Sequence, residues 1–189
     1  MREDKDKLGI TQLRLEDAVE TIINHFDDST REGLVETPKR YIKFLQEFHS
    51  APEVNFTTFN AEGYDQMIVQ ANIPFYSLCE HHLAPFFGTA TIGYIPKDKL
   101  VGLSKIARTL DYYANRFQNQ ERITSQVADR IDEELRPKGV AVVLKAQHLC
   151  MNMRGVKKHN TWTTTSKLLG NFRKPEVRQE FLQFHNSEI

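Results

Sequence analysis

The sequence between positions 139 and 150 reads GVAVVLKAQHLC, and from Val140 to Ala146 every second residue is apolar. Alternation with a period of two is typical of a β-strand that has one buried face. Continuing in steps of two places His148 and Cys150 on the same face of the predicted strand. An imidazole and a thiol that share a strand face can serve one metal ion or one substrate. This is the most informative periodicity in the chain, and it predicts a strand that carries two candidate site residues.

Three further strands are predicted elsewhere in the chain, two before this segment and one after it. Residues 67–73 alternate between apolar and mostly polar side chains and end at Pro74. Residues 86–95 (FFGTATIGYI) are rich in aromatic and β-branched residues and stop at Pro96. Residues 161–165 (TWTTT) have high β-propensity and can pair back as a fourth strand after a turn near Arg154.

Apolar residues spaced three and four apart predict four helices. The first runs from Leu15 to Phe26, and the second begins at Thr37, which we predict to be its cap, with Pro38 in the first helical position. Ser104 is predicted to cap a third helix, and a fourth stops at Pro137. The order helix, helix, strand, strand, helix, helix, strand, strand predicts an α+β fold.

The overall composition is that of an ordinary globular protein with one core. The chain has 189 residues, 40% of them apolar, and its 25 basic and 25 acidic residues give a net charge of 0. This balance excludes a global basic field for nucleic acid or anionic membranes, and it permits self-assembly. The first ten residues lack the apolar core of a signal peptide, and no stretch approaches a membrane span, so we predict a cytoplasmic protein.

Cys79, His82 and Cys150 form a candidate zinc site. Three protein ligands of the Cys2His type leave a fourth position for water, which zinc activates by lowering its pKa to about 7. His81 and His148 would bring two more imidazoles near the metal for proton transfer. Two buried core cysteines beside surface histidines are the alternative interpretation, and iron or manganese could occupy a comparable metal site.

Cations and one carboxylate complete the candidate site. Each cation alone is typical of a solvated surface, but together they could bind phosphate groups. Glu121 lies between two predicted helices, where a carboxylate usually caps a helix or pairs with a cation. In a pocket it could instead accept both N–H donors of a guanine edge. The cations are Arg40, Lys43, Lys105, Arg108 and Arg154.

Several longer motifs, in one order between Thr37 and Leu182, resemble the GTP cyclohydrolase I family. They are SLCEHH (77–82), GYIP (93–96), GLSK (102–105), RFQNQER (116–122), HLCM (148–151) and RGV (154–156). The resemblance implies a T-fold, an antiparallel sheet with helices packed on one face, in a homodecamer of two pentamers with active sites between subunits. It also implies an N-terminal helical segment over residues 1–50 and a catalytic T-fold over residues 51–189, which act as a single functional domain.

The resemblance further implies the reaction and the role of each residue. GTP would be converted to 7,8-dihydroneopterin triphosphate and formate, the first step of pterin, folate or 7-deazaguanine synthesis. Zinc would be held by Cys79, His82 and Cys150, while His81, His148 and Glu121 would be catalytic. The implied substrate-binding residues are Ser104, Lys105, Arg108, Gln120, Glu121, Arg154 and Arg40.

Four positions depart from the family pattern as we know it. Asn119 stands at a usually apolar place, Gln147 replaces a common Glu, and Trp162 and Thr164 change a segment that more often reads Ser-Lys-Thr-Val-Thr-Ser. None of them removes a metal ligand or a proton carrier. Two alternatives stay open: an NADPH-dependent nitrile reductase of deazapurine synthesis, which would use a nucleophilic Cys, and a non-catalytic zinc-stabilised assembly, which would not require His81, His148 or the cations.

Overall fold

The computed structural model describes residues 8–186, which fall into two compact units divided between Ser50 and Ala51. The first unit contains helices α1 (Leu8–Phe26) and α2 (Thr37–Phe48). The predicted capping of α2 by Thr37 is wrong, because the preceding Glu36 already has helical backbone angles and is itself the N-cap. The Thr37 hydroxyl therefore lies within helical backbone and donates to the carbonyl of Gly33 at 3.4 Å.

The second unit is built on a five-stranded sheet. Its order is β5-β2-β3-β6-β7, and all pairs are antiparallel except β2 with β5. Strands β1 and β4 form a separate antiparallel pair. The predicted α+β class is confirmed. The elements are β1 (Thr58–Asn60), β2 (Ile68–Cys79), β3 (Pro85–Ile95), β4 (Lys99–Val101), α3 (Leu103–Ala114), β5 (Phe117–Gln118), α4 (Gln120–Leu135), β6 (Gly139–His148), α5 (Leu149–Asn152), β7 (Thr163–Gly170), a 3-10 turn (Asn171–Arg173) and α6 (Pro175–Asn186).

Helices α3 and α4 cover one face of the sheet. Ile106 on α3 and Ile131 on α4 are fully buried in the same core as Tyr94 and Leu144 of the central strands. On the opposite face Phe181 of α6 packs in a smaller cluster. Because successive strand residues point to opposite faces, the two clusters draw on alternate positions of β3 and β6. A sheet with two helices on one face is the T-fold arrangement that the resemblance implies.

Strand β2 continues through Pro74 to Cys79, so the predicted end at Pro74 is wrong. Proline lacks an N–H and is tolerated where a strand has no partner on one side. Within the described part of the chain β5 pairs with β2 only at Leu78 and Cys79, which leaves Pro74 on an open edge. The continuation carries the chain to the first candidate metal ligand.

Strand β6 ends at His148, and Cys150 lies in the short helix α5, so the prediction that both residues share one strand is wrong. The partner strand β3 starts at Pro85, and its Phe86 pairs with His148. No residue of β3 remains to pair with Cys150. The backbone closes instead into a helical turn, in which the Met153 N–H donates to the Leu149 carbonyl at 3.0 Å.

Helix α3 begins at Leu103 with Gly102 as its N-cap, so the predicted cap at Ser104 is also wrong. The Gly102 N–H donates to the Thr57 carbonyl at 3.0 Å, which fixes the chain at the end of β4, and Ser104 follows as the second helical residue. Strand β7 spans Thr163–Gly170 rather than residues 161–165. Within residues 8–186, no helix combines the length and apolar character needed to cross a lipid bilayer.

Candidate active site

The first two candidate ligands lie on the segment Cys79–Leu83, here called the ligand loop. Its ends are held together because the Cys79 N–H donates to the Ala84 carbonyl at 2.8 Å, and the Leu83 N–H donates to the Cys79 carbonyl at 2.8 Å. Leu83 has a positive φ of 52°, an uncommon conformation for a non-glycine residue. The tight turn returns the chain from β2 into β3 and brings the side chains of Cys79 and His82 close together.

Cys79, His82 and Cys150 are brought together, although they come from two separate segments. One ligand atom from each residue lies within 4.8 Å of the other two, and Cys79 Sγ is 3.9 Å from His82 Nδ1. Two ligands of a tetrahedral zinc ion are about 3.8 Å apart, so a small closure suffices to bind the ion. Cys79 is buried, Cys150 is half-buried and His82 is exposed, so the group is accessible from one side. Two sulfurs and one imidazole nitrogen are a donor set that fits zinc.

The two thiols influence each other electrostatically. Burial raises the pKa of the Cys150 thiol, and the neighbouring Cys79 raises it further, while the positive charge of Arg154 lowers it. A cysteine binds a metal as the thiolate, so a divalent cation must displace the thiol proton.

His148 lies two residues before Cys150, which together with Cys79 and His82 is here called the metal group because of its donor atoms, and the His148 ring is held in one orientation. Its ring stacks on Phe86 with centroids 4.6 Å apart and planes 5° from parallel, and Nε2 lies 2.8 Å from Gln120 Oε1. Burial lowers the pKa of His148, and the negative charge of Glu121 opposes that effect. Phe86 was not identified from the sequence, because its place against His148 depends on the register of β3 and β6.

Gln120, the first residue of α4, is almost completely buried, with 1% of its surface exposed. Its Nε2 donates to the Leu144 carbonyl at 3.1 Å, to the Thr163 carbonyl at 3.0 Å and to Thr165 Oγ1 at 3.1 Å. The oxygen and the nitrogen of the Gln120 side-chain amide thus both have hydrogen-bond partners within the protein. Gln120 therefore links α4, β6 and β7 to the His148 ring.

Glu121 follows on the next position of α4 and is exposed. It lines a cavity of about 340 Å³. Its negative charge favours the protonated form of His148. A cavity bearing an accessible carboxylate can hold a flat base with two adjacent N–H donors. The cavity is lined by Glu121, Thr124, Ser125, Thr165, Ser166 and Lys167.

Glu80, between the two ligands of the loop, makes a forked ion pair with Arg122 of α4. Arg122 Nη1 donates to Glu80 Oε2 at 2.6 Å and Nη2 donates to Oε1 at 3.1 Å. Asn119 Nδ2 donates to the same Oε1 at 3.0 Å. These hydrogen bonds hold the pKa of the Glu80 carboxyl below its ordinary value, with the Arg122 bonds making the largest contribution. From the sequence, Asn119 was identified only as a departure from the family pattern. Its hydrogen bond to Glu80 became visible only in the three-dimensional structure.

The remaining predicted site residues lie in three places. His81 is two-thirds exposed, with Nδ1 3.6 Å from Cys79 Sγ. Ser104, Lys105 and Arg108 lie in the first half of α3, whose Leu103 carbonyl accepts a hydrogen bond from Gln70 Nε2 at 3.1 Å. That contact is near the start of β2, whereas Cys79 is at its end. Arg40 is an exposed residue of α2 in the first unit.

Comparison with known proteins decides the family. The family model described as GTP cyclohydrolase I matches residues 15–186. The chain belongs to this family. GTP cyclohydrolase 1 of Sulfurihydrogenibium sp. (strain YO3AOP1) is 49% identical over 181 residues, which are 94% of this chain and 97% of that protein.

Other organisms contain relatives of comparable similarity. GTP cyclohydrolase 1 of Helicobacter pylori (strain G27) is 48% identical and covers 89% of this chain and all of that protein. The Saccharomyces cerevisiae protein of the same name is 44% identical over 95% of this chain and 75% of its own length. Among solved structures, the archaeosine synthase QueF-Like in the apo form is 14% identical, with a TM-score of 0.44, and covers 57% of this chain and 95% of that chain. The resemblance to the GTP cyclohydrolase I family is confirmed.

Proposed function

We propose that the protein is a zinc-dependent GTP cyclohydrolase I, which converts GTP and one net water to 7,8-dihydroneopterin triphosphate and formate. The proposal is carried by one observation: a chain of this family brings Cys79, His82 and Cys150 within 4.8 Å of one another. Carbon C8 of guanine leaves as formate, and ribose carbons close the new ring. Zinc held by these three residues would supply an activated water at neutral pH.

The residues around that group have separate tasks. His148, held by Gln120 and Phe86, transfers a proton to a nitrogen of the guanine imidazole ring as the ring opens. Glu121 accepts the two N–H donors of the guanine edge in its cavity. His81 lies on the exposed side of Cys79, where it can exchange protons with solvent. Gln120 acts on the substrate through His148, since its amide is occupied by protein groups.

The triphosphate would be bound by Ser104, Lys105, Arg108, Arg154 and Arg40. Helix α3 is about 18 Å long, and Ser104 and Lys105 lie in its first turn. The C-terminal end of α3 is followed by Arg116, whose carbonyl accepts the Leu78 N–H at 3.4 Å. Leu78 directly precedes Cys79, so this end of the helix is the one near the metal group. The first turn of α3 and the metal group of one chain are thus a helix length apart. This separation supports a site between subunits, in which one copy supplies the metal group and a neighbour supplies Ser104 and Lys105.

Turnover of GTP by the purified protein tests the reaction. The pterin product and formate are followed before chelation, after chelation and after zinc is returned. Chelator-sensitive and zinc-restored release of both products is the expected result. An assembled, zinc-loaded sample that releases neither product would refute the activity and favour a non-catalytic zinc-stabilised assembly.

Mixed oligomers test the shared site. Lys105→Ala and His148→Ala should each strongly reduce turnover. If the two residues come from different copies, random co-assembly restores about a quarter of the sites, because each such site needs one intact residue from each neighbour. If both residues come from one chain, every site in the mixture carries a substitution. Turnover no higher than that of the separate variants would then refute the shared site.

A further inference from the structure

Asn119 lies between the first residues of α4 and the ligand loop. Its Oδ1 accepts the Arg122 N–H at 2.8 Å, which caps the helix, while its Nδ2 donates to Glu80 Oε1 at 3.0 Å. The two ends of one short side chain therefore satisfy a helix terminus and contact the segment that carries two metal ligands. The resemblance gives no role to this position, where the family is usually apolar.

Glu80 of the ligand loop accepts side-chain hydrogen bonds from the start of α4. Its carboxylate receives two hydrogen bonds from Arg122 and one from Asn119. Its own N–H donates to the Gln118 carbonyl at 3.0 Å. Arg122 also donates to Gln118 Oε1 at 3.2 Å, so the guanidinium is fixed by a second, buried residue.

The loop has few other constraints on its exposed side. His81, His82 and Leu83 are all exposed, whereas Cys79 is buried at the end of β2. Backbone hydrogen bonds close the turn, but among the described residues the side-chain bonds that reach Glu80 from α4 come from Asn119 and Arg122 alone. Groups that orient a ligand-bearing segment commonly change metal affinity by 10- to 100-fold when they are removed.

We propose that Asn119 is a positioning residue of this protein, which fixes the ligand loop to the start of α4 through Glu80 and slows loss of the metal. The inference rests on the proposed function for the identity of the metal. The same first turn of α4 carries Gln120, which holds His148, and Glu121. Fixing the loop to this turn therefore also sets the position of the metal group relative to the proton carrier and the base-binding carboxylate.

Replacing Asn119 by Ser separates its two contacts. Serine is a good N-cap residue but has no amide to reach Glu80, whereas Asn119→Ala removes both contacts. The matched control is Asn60→Ser, because Asn60 Oδ1 accepts the Glu62 N–H at 2.8 Å in a turn before β2. Asn60→Ser changes the same residue type in a backbone-capping role outside the site.

The first measurement is the rate at which zinc passes from the zinc-loaded full-length protein to a chromogenic chelator, at fixed pH and protein concentration. For Asn119→Ser we expect release about tenfold faster than for the unsubstituted protein and for Asn60→Ser. The midpoint of thermal unfolding should change little, because the cap remains. Release from Asn119→Ser at the unsubstituted rate would overturn the proposal and leave Asn119 as a helix cap.

Combination with Glu80→Ala tests the route. If Asn119 acts through Glu80, adding Asn119→Ser to Glu80→Ala accelerates release no further. If the two effects multiply, the route through Glu80 is refuted. Should Glu80→Ala fail to assemble, Glu80→Met replaces it in the same comparison, because methionine keeps the length of the side chain but offers Asn119 no oxygen acceptor. Zinc release does not require turnover, so a failure of the proposed activity is distinguished from a failure of this inference.

Discussion

Replacing Gln120 by Met removes the buried amide that holds His148 while keeping a side chain of similar length. The two Nε2 hydrogens of Gln120 are shared among three acceptors, the Leu144 and Thr163 carbonyls and Thr165 Oγ1, and its Oε1 accepts from His148 Nε2. Thr165 keeps a partner, because its hydroxyl also lies 2.7 Å from Thr124 Oγ1. At about 1 kcal/mol for each net hydrogen bond, we expect the free energy of unfolding to fall by about 2–4 kcal/mol.

The same substitution should lower kcat more than it raises KM for GTP. The His148 ring keeps its stacking on Phe86 but loses the acceptor at Nε2, so the ring can rotate about its stacked position. A positioned proton carrier contributes about 10²–10⁴-fold to rate, and loss of its orientation should cost about tenfold or more.

Denaturant unfolding and GTP turnover, both at one fixed protein concentration, measure the two effects. Thr91→Val is the matched control, since the buried Thr91 hydroxyl lies 2.9 Å from His185 Nδ1 in the part of the structure opposite the site helices. We expect this control to lose about 1 kcal/mol of unfolding free energy and to keep its kcat. If Gln120→Met keeps its kcat while losing stability, the reasoning that Gln120 orients His148 is refuted.

Three further predictions follow from other parts of the molecule. His148→Ala should abolish GTP turnover yet retain zinc by metal analysis, and retained turnover would remove His148 from the mechanism. Gly88→Ala should prevent recovery of folded protein, since an added Cβ would collide with the Lys145 carbonyl on the neighbouring strand; a folded, active variant would contradict that packing. Burial and then the Lys145 charge lower the pKa of His185, so the unfolded chain gains a proton as pH falls through about 6.5 while the folded chain resists it. The free energy of unfolding should therefore decrease from about pH 7 to pH 5, and more steeply than in His185→Gln. If denaturant unfolding gives the two proteins the same dependence of this free energy on pH, His185 does not contribute to it.

The sequence contained enough to predict the layer architecture and to single out three candidate metal ligands. Helical spacing around Ile123 reports which face of α4 is buried, and that pattern is local. The pattern from Val140 to Ala146 correctly predicted a strand, but the expectation of one buried face was wrong, because β6 is buried on both faces as far as Leu144. Cys79, His82 and Cys150 were recognised by residue type and spacing and were found together. The reason given for Cys150 was nevertheless wrong, because alternation continues past the point where β3 has residues left to pair.

Side-chain partners that depend on register could not be predicted. Whether Phe86 lies against His148, or Asn119 against Glu80, is set by which residues of separate elements come opposite one another. The predicted N-caps of α2 and α3 were wrong because contacts outside the local sequence also decide where a helix begins. At Ser104 the residue type favours a cap, but the hydrogen bond between Gly102 and Thr57 fixes the chain earlier and begins the helix there.

The first turn of α4 places three unlike side chains at consecutive positions: Asn119 contacts the ligand loop, Gln120 enters the sheet, and Glu121 faces the cavity. Gln120 and Glu121 are successive helical residues rotated by about 100°, and Asn119 is held at the N-cap by the Arg122 N–H, so the three directions are fixed relative to one another. A single inserted or deleted residue at this turn would rotate all three away from their partners at once. Length variation among natural or engineered variants should therefore be absent here and concentrate in surface connections such as residues 153–162.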